Sequence, residues 1–273
     1  MIPGEPSEPP EDSPPSPPPL AAWRNVASLG LLSIYVLLPF LVFLASEGPR
    51  GPALPRSVLP VLSVAAWELV IFTVVLGSAC RLARLEREDL MWRWVGGWRA
   101  VPRAFVWAMI LRLGVAIILG AILGLMQWAA GAAAAEQVGA GPDVGALVDF
   151  QALRDPWYLL VMSTLVSFVV AGLREELWRA ASITLLGRVF PARFGGARGA
   201  WLAVVPVAVL FGMGHASQGV YGIYATLLLG VGLGALLLWR RSLADAVLAH
   251  GFLDATTFLL AAALLDRFPE WLA

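Results

Sequence analysis

Long apolar runs, separated by short polar or arginine-bearing breaks, fill the chain from residue 23 onward. A helix needs about 20 mostly apolar residues to cross the hydrocarbon core of a bilayer. Runs of that length predict seven helices, near 27–46, 57–80, 104–128, 157–180, 200–217, 218–239 and 242–265. The pattern therefore predicts an all-α fold, a polytopic transmembrane helix bundle of about seven spans, within a range of six to eight.

Composition supports a membrane protein. Charged residues make up only 14% of the chain, against about 25% in soluble domains, which is too little to coat a water-soluble globule. The net charge is zero, so nothing points to nucleic acid as a partner. All 19 basic residues are arginine, which with abundant alanine, glycine and proline favours a GC-rich bacterial genome and hence the bacterial inner (plasma) membrane.

Polar segments divide the chain into three parts. Residues 1–22 are proline-rich and acidic, which predicts a disordered tail. Residues 23–150 hold the N-terminal transmembrane helices and, at 81–103, an Arg/Trp-rich stretch typical of an interfacial loop or amphipathic helix. Residues 151–273 form the C-terminal transmembrane part.

The distribution of arginine predicts the orientation. Most arginines fall in segments on the same side as the N-terminus, whereas the opposite side carries Arg50, Arg56, Arg154 and Arg267. Because positive charge accumulates on the cytoplasmic side, the N-terminus is predicted to be cytoplasmic.

Several ionisable residues fall within or beside the apolar spans. A charge at the bilayer centre costs about 3 kcal/mol on insertion scales, so each such residue is a candidate for function. They are Glu68, Arg112, Arg174, Glu175, Glu176, Arg179, His215, His250 and Asp254. The protein has two histidines, and both belong to this set, which favours one composite site over separate structural accidents.

The first cluster is the run from Arg174 to Arg179. Glu175 and Arg179 are four residues apart, which predicts that they share a helix face, whereas Arg174 and Glu176 point to separate partners. A glutamate in apolar surroundings beside a guanidinium can accept a proton from water. An ion-paired helix end at the membrane interface remains the alternative. A further hypothesis pairs Glu68 with Arg112 across the second and third helices.

Two more pairs have the four-residue spacing of one helix face. Phe211 and His215 place an aromatic wall beside an imidazole, and His250 and Asp254 can share a metal or a polarised water. Alternatively, Asp254 fixes the tautomer of His250, or each histidine is a hydrogen-bonded core residue. By the predicted spans, His215 lies at a different depth from Glu175 and His250.

These motifs resemble the CPBP family of intramembrane proteases, which contains the CAAX proteases, bacteriocin-processing enzymes and the Ras-converting endopeptidase. The resemblance covers roughly residues 157–265. The family pattern is EExxxR, then FxxxH, then HxxxN or HxxxD, and the last two match Phe211 to His215 and His250 to Asp254. In the first, Glu175-Glu176 is followed by Arg179 one residue early, and aligning the glutamates preserves both acids.

The resemblance implies an intramembrane metalloendopeptidase that hydrolyses a peptide bond of a membrane-associated protein or peptide. In it, Glu175 activates water with help from His215, while His250 and Asp254 stabilise the oxyanion. The implied site residues, with Arg179 and Phe211 in support, are Glu175, Glu176, His215, His250 and Asp254. Glu175, His215, His250 and Asp254 also suit zinc, although the same residues serve a metal-free glutamate mechanism. The alternatives are a catalytically silent scaffold or bacteriocin-immunity-type protein, and a small transporter with a proton relay.

Overall fold

The computed structural model describes residues 19–45, 52–131, 143–265 and 267. Helices dominate this part of the chain, and it contains no strand. We number the helices α1 to α8, with α4 counted as one continuous helix. Their bounds are α1 Pro19–Ala45, α2 Val58–Ala83, α3 Ala100–Ala130, α4 Pro156–Val189, α5 Pro191–Phe194, α6 Gly196–Gly214, α7 Gly219–Arg240 and α8 Leu243–Leu264.

Seven of these helices, all except the short α5, are long and apolar enough to cross a membrane. The predicted all-α transmembrane bundle is therefore confirmed, and the protein is an integral membrane protein. Large apolar side chains such as Leu113, Ile117 and Leu125 of α3 are exposed, as expected for a surface that faces lipid.

The predicted tail and loops are only partly within the described residues. Residues 1–18 of the tail lie outside them, and residues 19–22 belong to the first turns of α1. The segment between α3 and α4 is described from residue 143, where it forms two short 3₁₀ turns, Val144–Ala146 and Phe150–Arg154. Asp155 then caps α4 by accepting a hydrogen bond from the backbone N–H of Trp157, at 2.8 Å.

The Arg/Trp-rich stretch forms a loop with a single 3₁₀ turn, Gly97–Arg99, rather than an amphipathic helix. The loop is anchored to the start of α8, because Leu243 donates its backbone N–H to the carbonyl of Met91 at 2.8 Å. Arg103 adds two hydrogen bonds, of 2.5 and 2.9 Å, to the fully buried carboxylate of Asp245. The tryptophans of this loop remain exposed, Trp98 most of all at 85%.

An unusual helical form precedes the charged cluster in α4. Residues Met162–Leu173 form a π-helix between the α-helical segments Pro156–Val161 and Arg174–Val189. The Ser167 hydroxyl donates to the carbonyl of Met162, five residues earlier, at 2.7 Å. Long π-helices are rare and are frequent neighbours of functional sites. The hydrophobic pattern does not distinguish this form from an α-helix, so the sequence did not predict it.

Two glycines allow α4 and α8 to pack closely. A Cβ atom at Gly172 would lie 2.9 Å from the carbonyl oxygen of Val247, and one at Gly251 would collide with the ring of Phe168. Small residues at such contacts let helix backbones approach within a membrane. This approach brings His250 of α8 against the acidic cluster of α4.

Candidate active site

Glu175 and Glu176 lie in the middle of α4. The sequence predicted that this helix ends near residue 180, but it continues to Val189, which places roughly 21 Å of helix between Glu175 and that end. His215 directly follows α6, at the opposite end of that helix from Gly196. The longer α4 therefore reduces the depth difference that the predicted spans implied between Glu175 and His215.

His250 is held by Glu176. Its Nδ1 lies 2.8 Å from the Oε1 atom of Glu176, a carboxylate that can only accept, so Nδ1 carries the proton. The other ring nitrogen, Nε2, then points between two further carboxylates. It lies 3.5 Å from Oε2 of Glu175 and 3.7 Å from Oδ2 of Asp254. The three acids thus surround one imidazole.

Glu176 also forms an ion pair with Arg179, three residues further along the helix. Both side chains are buried, with exposed fractions of 0% and 1%. The prediction that Arg179 pairs with Glu175 is therefore wrong. Positions three and four apart are both neighbours on a helix, and Glu175 is instead drawn to Arg174.

Arg174 bridges Glu175 and an acid of a different helix. Its guanidinium lies 2.7 Å from Oε1 of Glu175 and, through another nitrogen, 2.7 Å from Oε2 of Glu68 in α2. Tyr35 of α1 lies near the same guanidinium. The remaining oxygen of Glu175, Oε2, is buried without a hydrogen-bond partner. Arg174 therefore fixes one carboxylate oxygen and leaves the other directed at His250.

Arg112 does not pair with Glu68, contrary to the hypothesis drawn from the sequence. It donates hydrogen bonds to the hydroxyl groups of Thr256 and Thr257, at 2.9 and 2.8 Å, and to the carbonyl of Leu253. These three acceptors belong to α8, so Arg112 ties α3 to that helix beside Asp254. The charges of Glu68 and Arg112 are thus each compensated by residues distant in sequence. The spacing of residues along a single helix could not predict these partners.

Phe211 packs against both histidines, as an aromatic wall would. Its ring centroid lies 4.5 Å from that of His215 and 6.1 Å from that of His250. The guanidinium of Arg179 sits 4.6 Å from the same ring, a cation–π contact. His215 lies 2.8 Å through Nδ1 from the carbonyl of Phe211, which requires a proton on that nitrogen. In the neutral ring, its Nε2 is therefore the nitrogen that can accept a proton or a hydrogen bond.

The predicted zinc set was Glu175, His215, His250 and Asp254. Within the described residues, no group of three or more His, Cys, Asp or Glu side chains is arranged to hold a metal ion. Both histidines bond through Nδ1 to a carbonyl or a carboxylate, which leaves each Nε2 available as a ligand, whereas Oε1 of Glu175 is held by Arg174. Zinc therefore stays a prediction, and the mechanism below uses side chains alone.

The fold and these contacts define an integral membrane protein whose acids and histidines meet inside the helix bundle. Residues 156–256 match the family model described as Type II CAAX prenyl endopeptidase Rce1-like. This match covers less than half of the chain and agrees with the predicted resemblance to the CAAX protease family. Comparison with curated proteins and with solved structures found no match. The matched stretch contains the whole run from Glu175 to Asp254, whereas Glu68 and Tyr35 lie outside it.

A double-mutant cycle can test the bridge made by Arg174. If the site hydrolyses a peptide bond, as we propose below, Arg174→Gln should lower kcat by about tenfold with little change in KM, a typical coupling within one ion-pair network. Glu68→Gln should lower kcat less, because Arg174 still holds Glu175. If Glu68 acts through Arg174, the double variant should cleave at the rate of Arg174→Gln alone. Effects that multiply would show that Glu68 acts independently of Arg174.

Proposed function

We propose that the protein is an intramembrane endopeptidase that hydrolyses a peptide bond of a membrane-associated protein or peptide. The matched family supports CAAX endopeptidase activity. The observation that carries the proposal is the unpartnered, buried Oε2 of Glu175 facing Nε2 of His250. A buried polar atom without a partner in a native fold calls for an explanation, and a water bound there is one.

Glu175 is the proposed general base. Its Oε2 accepts a proton from the attacking water, while Arg174 keeps Oε1 from rotating into that position. His215 assists at the same water through Nε2, because its Nδ1 is bonded to the carbonyl of Phe211. The proton then passes from Glu175 to the leaving amine as the peptide bond breaks, so the base returns to its carboxylate form.

His250 is the proposed stabiliser of the tetrahedral oxyanion. With Nδ1 fixed on Glu176, its protonated Nε2 donates to the negative oxygen that develops on the attacked carbonyl. Asp254 lies beside the same nitrogen and orients it. Glu176, Arg179 and Phe211 hold the imidazole in place without touching the substrate, so they are positioning residues.

A cleavage assay tests this function. The purified full-length protein, in liposomes, would be given a farnesylated CAAX peptide and its non-prenylated counterpart, with products identified by mass spectrometry. We expect cleavage by the wild type, and a loss of at least about 100-fold in His215→Ala and in His250→Ala, as for removal of a catalytic acid–base or oxyanion group. Comparable cleavage by both variants would favour a structural role for the polar network.

Metal dependence provides a separate check. Because the proposed base and oxyanion donor are both side chains, we expect cleavage to persist after dialysis against a chelator. Metal analysis of the wild type beside Glu175→Ala and His250→Ala should show no stoichiometric zinc that depends on these residues. Stoichiometric zinc that both variants lose, together with inactivation by the chelator, would restore the metallopeptidase assignment.

A further inference from the structure

An open groove lies between the start of α1 and the end of α2, far from the acids and histidines. Its volume is about 490 Å³, and its lining residues are Trp23, Arg24, Ser78, Arg81, Leu82 and Arg84. A second groove of about 470 Å³ shares Ser78 and Arg81 with the first. It continues along α2 past Thr73, Val74, Gly77 and Cys80. Together they form one continuous surface groove, which is basic at one end and mostly apolar along the rest.

The arginines at the basic end have no acidic partner among the described residues. Within the described part of the chain, no acidic side chain forms an ion pair with Arg24, Arg81 or Arg84. The Nε atom of Arg24 is buried and has no hydrogen-bond partner. Three guanidinium groups that line one groove repel one another, so an anion between them is stabilising.

The position of the groove matches the headgroup zone of a bilayer. The loop that follows α2 exposes Trp92, Trp94 and Trp98, and tryptophan is enriched at membrane–water interfaces. The basic end lies on this side, because Arg81 and Arg84 are at the end of α2. The apolar part runs from there toward the middle of the span, where Val74 is exposed and a Cβ atom at Gly77 would meet nothing within 4 Å.

We propose that this continuous groove binds an anionic phospholipid. The phosphate lies among Arg24, Arg81 and Arg84, and one acyl chain follows α2 through the depression at Gly77. Charge complementarity selects the anionic headgroup, and basic pockets between transmembrane helices are known to hold such headgroups. The apolar continuation distinguishes a lipid from a small phosphate ion, which would use the basic end alone.

Native mass spectrometry of the full-length protein in detergent can measure this binding. The probes are dioleoyl phosphatidylglycerol, dioleoyl phosphatidylcholine, and chain-free phosphorylglycerol or inorganic phosphate. We expect phosphatidylglycerol to bind more tightly than phosphatidylcholine, and the chain-free anions to compete only weakly. Arg24→Gln, Arg81→Gln and Arg84→Gln should each weaken phosphatidylglycerol binding by about fivefold, as expected for one arginine near an anionic surface.

The triple variant of Arg87, Arg93 and Arg99 to glutamine is the matched control, since it removes the same charge from exposed positions on the same side. It should keep the affinity for phosphatidylglycerol, whereas the triple variant of Arg24, Arg81 and Arg84 should lose about 100-fold. Equal losses in both triple variants would overturn the proposal in favour of general surface attraction. Equal binding of phosphatidylcholine, or equally tight binding of chain-free phosphate, would also overturn it.

Discussion

Glu175→Gln should abolish measurable peptide cleavage, with a loss of about 10²–10⁴-fold in kcat, the usual contribution of a general base. Glutamine keeps the shape of the side chain, and its amide oxygen can still accept the hydrogen bond that Arg174 donates at 2.7 Å. What it loses is the ability to take a proton at the position of Oε2. The rate is measured with the farnesylated peptide under single-turnover conditions.

The variant is informative only if it remains folded. Its Tm in detergent should match that of the wild type within about 2 °C, since it introduces no cavity and Arg174 keeps its ion pair with Glu68. Glu88→Gln, at an exposed position of the loop after α2, is the matched control and should cleave at the wild-type rate. A Glu175→Gln variant that cleaves normally would rule out Glu175 as the base.

Arg179→Met should cause the largest loss of stability, about 3–5 kcal/mol. Methionine fills much of the same volume, but it leaves the carboxylate of Glu176 buried without its guanidinium partner. Removing one partner of a buried ion pair is costly because the other charge stays desolvated. The Arg179 side chain also packs on the ring of Phe211, and that contact would be lost too. Thermal unfolding followed by tryptophan fluorescence measures the effect.

A second variant separates the charge from the packing. In the double variant Arg179→Met with Glu176→Gln, the amide oxygen can still accept from His250, and no buried charge remains unpaired. We expect it to be more stable than Arg179→Met alone. Arg188→Met is the control on the same helix, because Arg188 pairs with Asp89 at partly exposed positions, where an ion pair contributes about 1 kcal/mol or less. Equal losses for Arg179→Met and Arg188→Met would contradict the argument.

The hydropathy of the sequence was sufficient to predict the helical architecture. A bilayer requires long apolar helices, so run length alone predicted the all-α class and about seven spans. The structure confirms this class, with seven helices among the described residues that are long and apolar enough to cross a membrane. The same pattern could not predict where α4 ends. Its last part, from Arg174 to Val189, is less apolar on average than the other spans because it carries charges that pair with other elements.

The cost of charge in a membrane also identified which residues meet. Glu175, Glu176, His215, His250 and Asp254 were selected because each is expensive in lipid, and the structure brings Glu175, Glu176 and Asp254 around His250. The sequence did not indicate which glutamate forms an ion pair with which arginine. Spacing along one helix favoured Glu175 with Arg179, but Arg174 reaches Glu175 and leaves Arg179 to Glu176.

By itself, then, the sequence determined that this protein lies in a membrane, that it has about seven spans, and which polar residues would be costly in lipid. These properties depend on composition and on the lengths of apolar runs, which can be read locally along the chain. The tertiary structure alone decided the pairing of charges and the free oxygen of Glu175. They depend on residues such as Glu68, which comes from a helix outside the matched stretch, and only packing brings such distant side chains into contact.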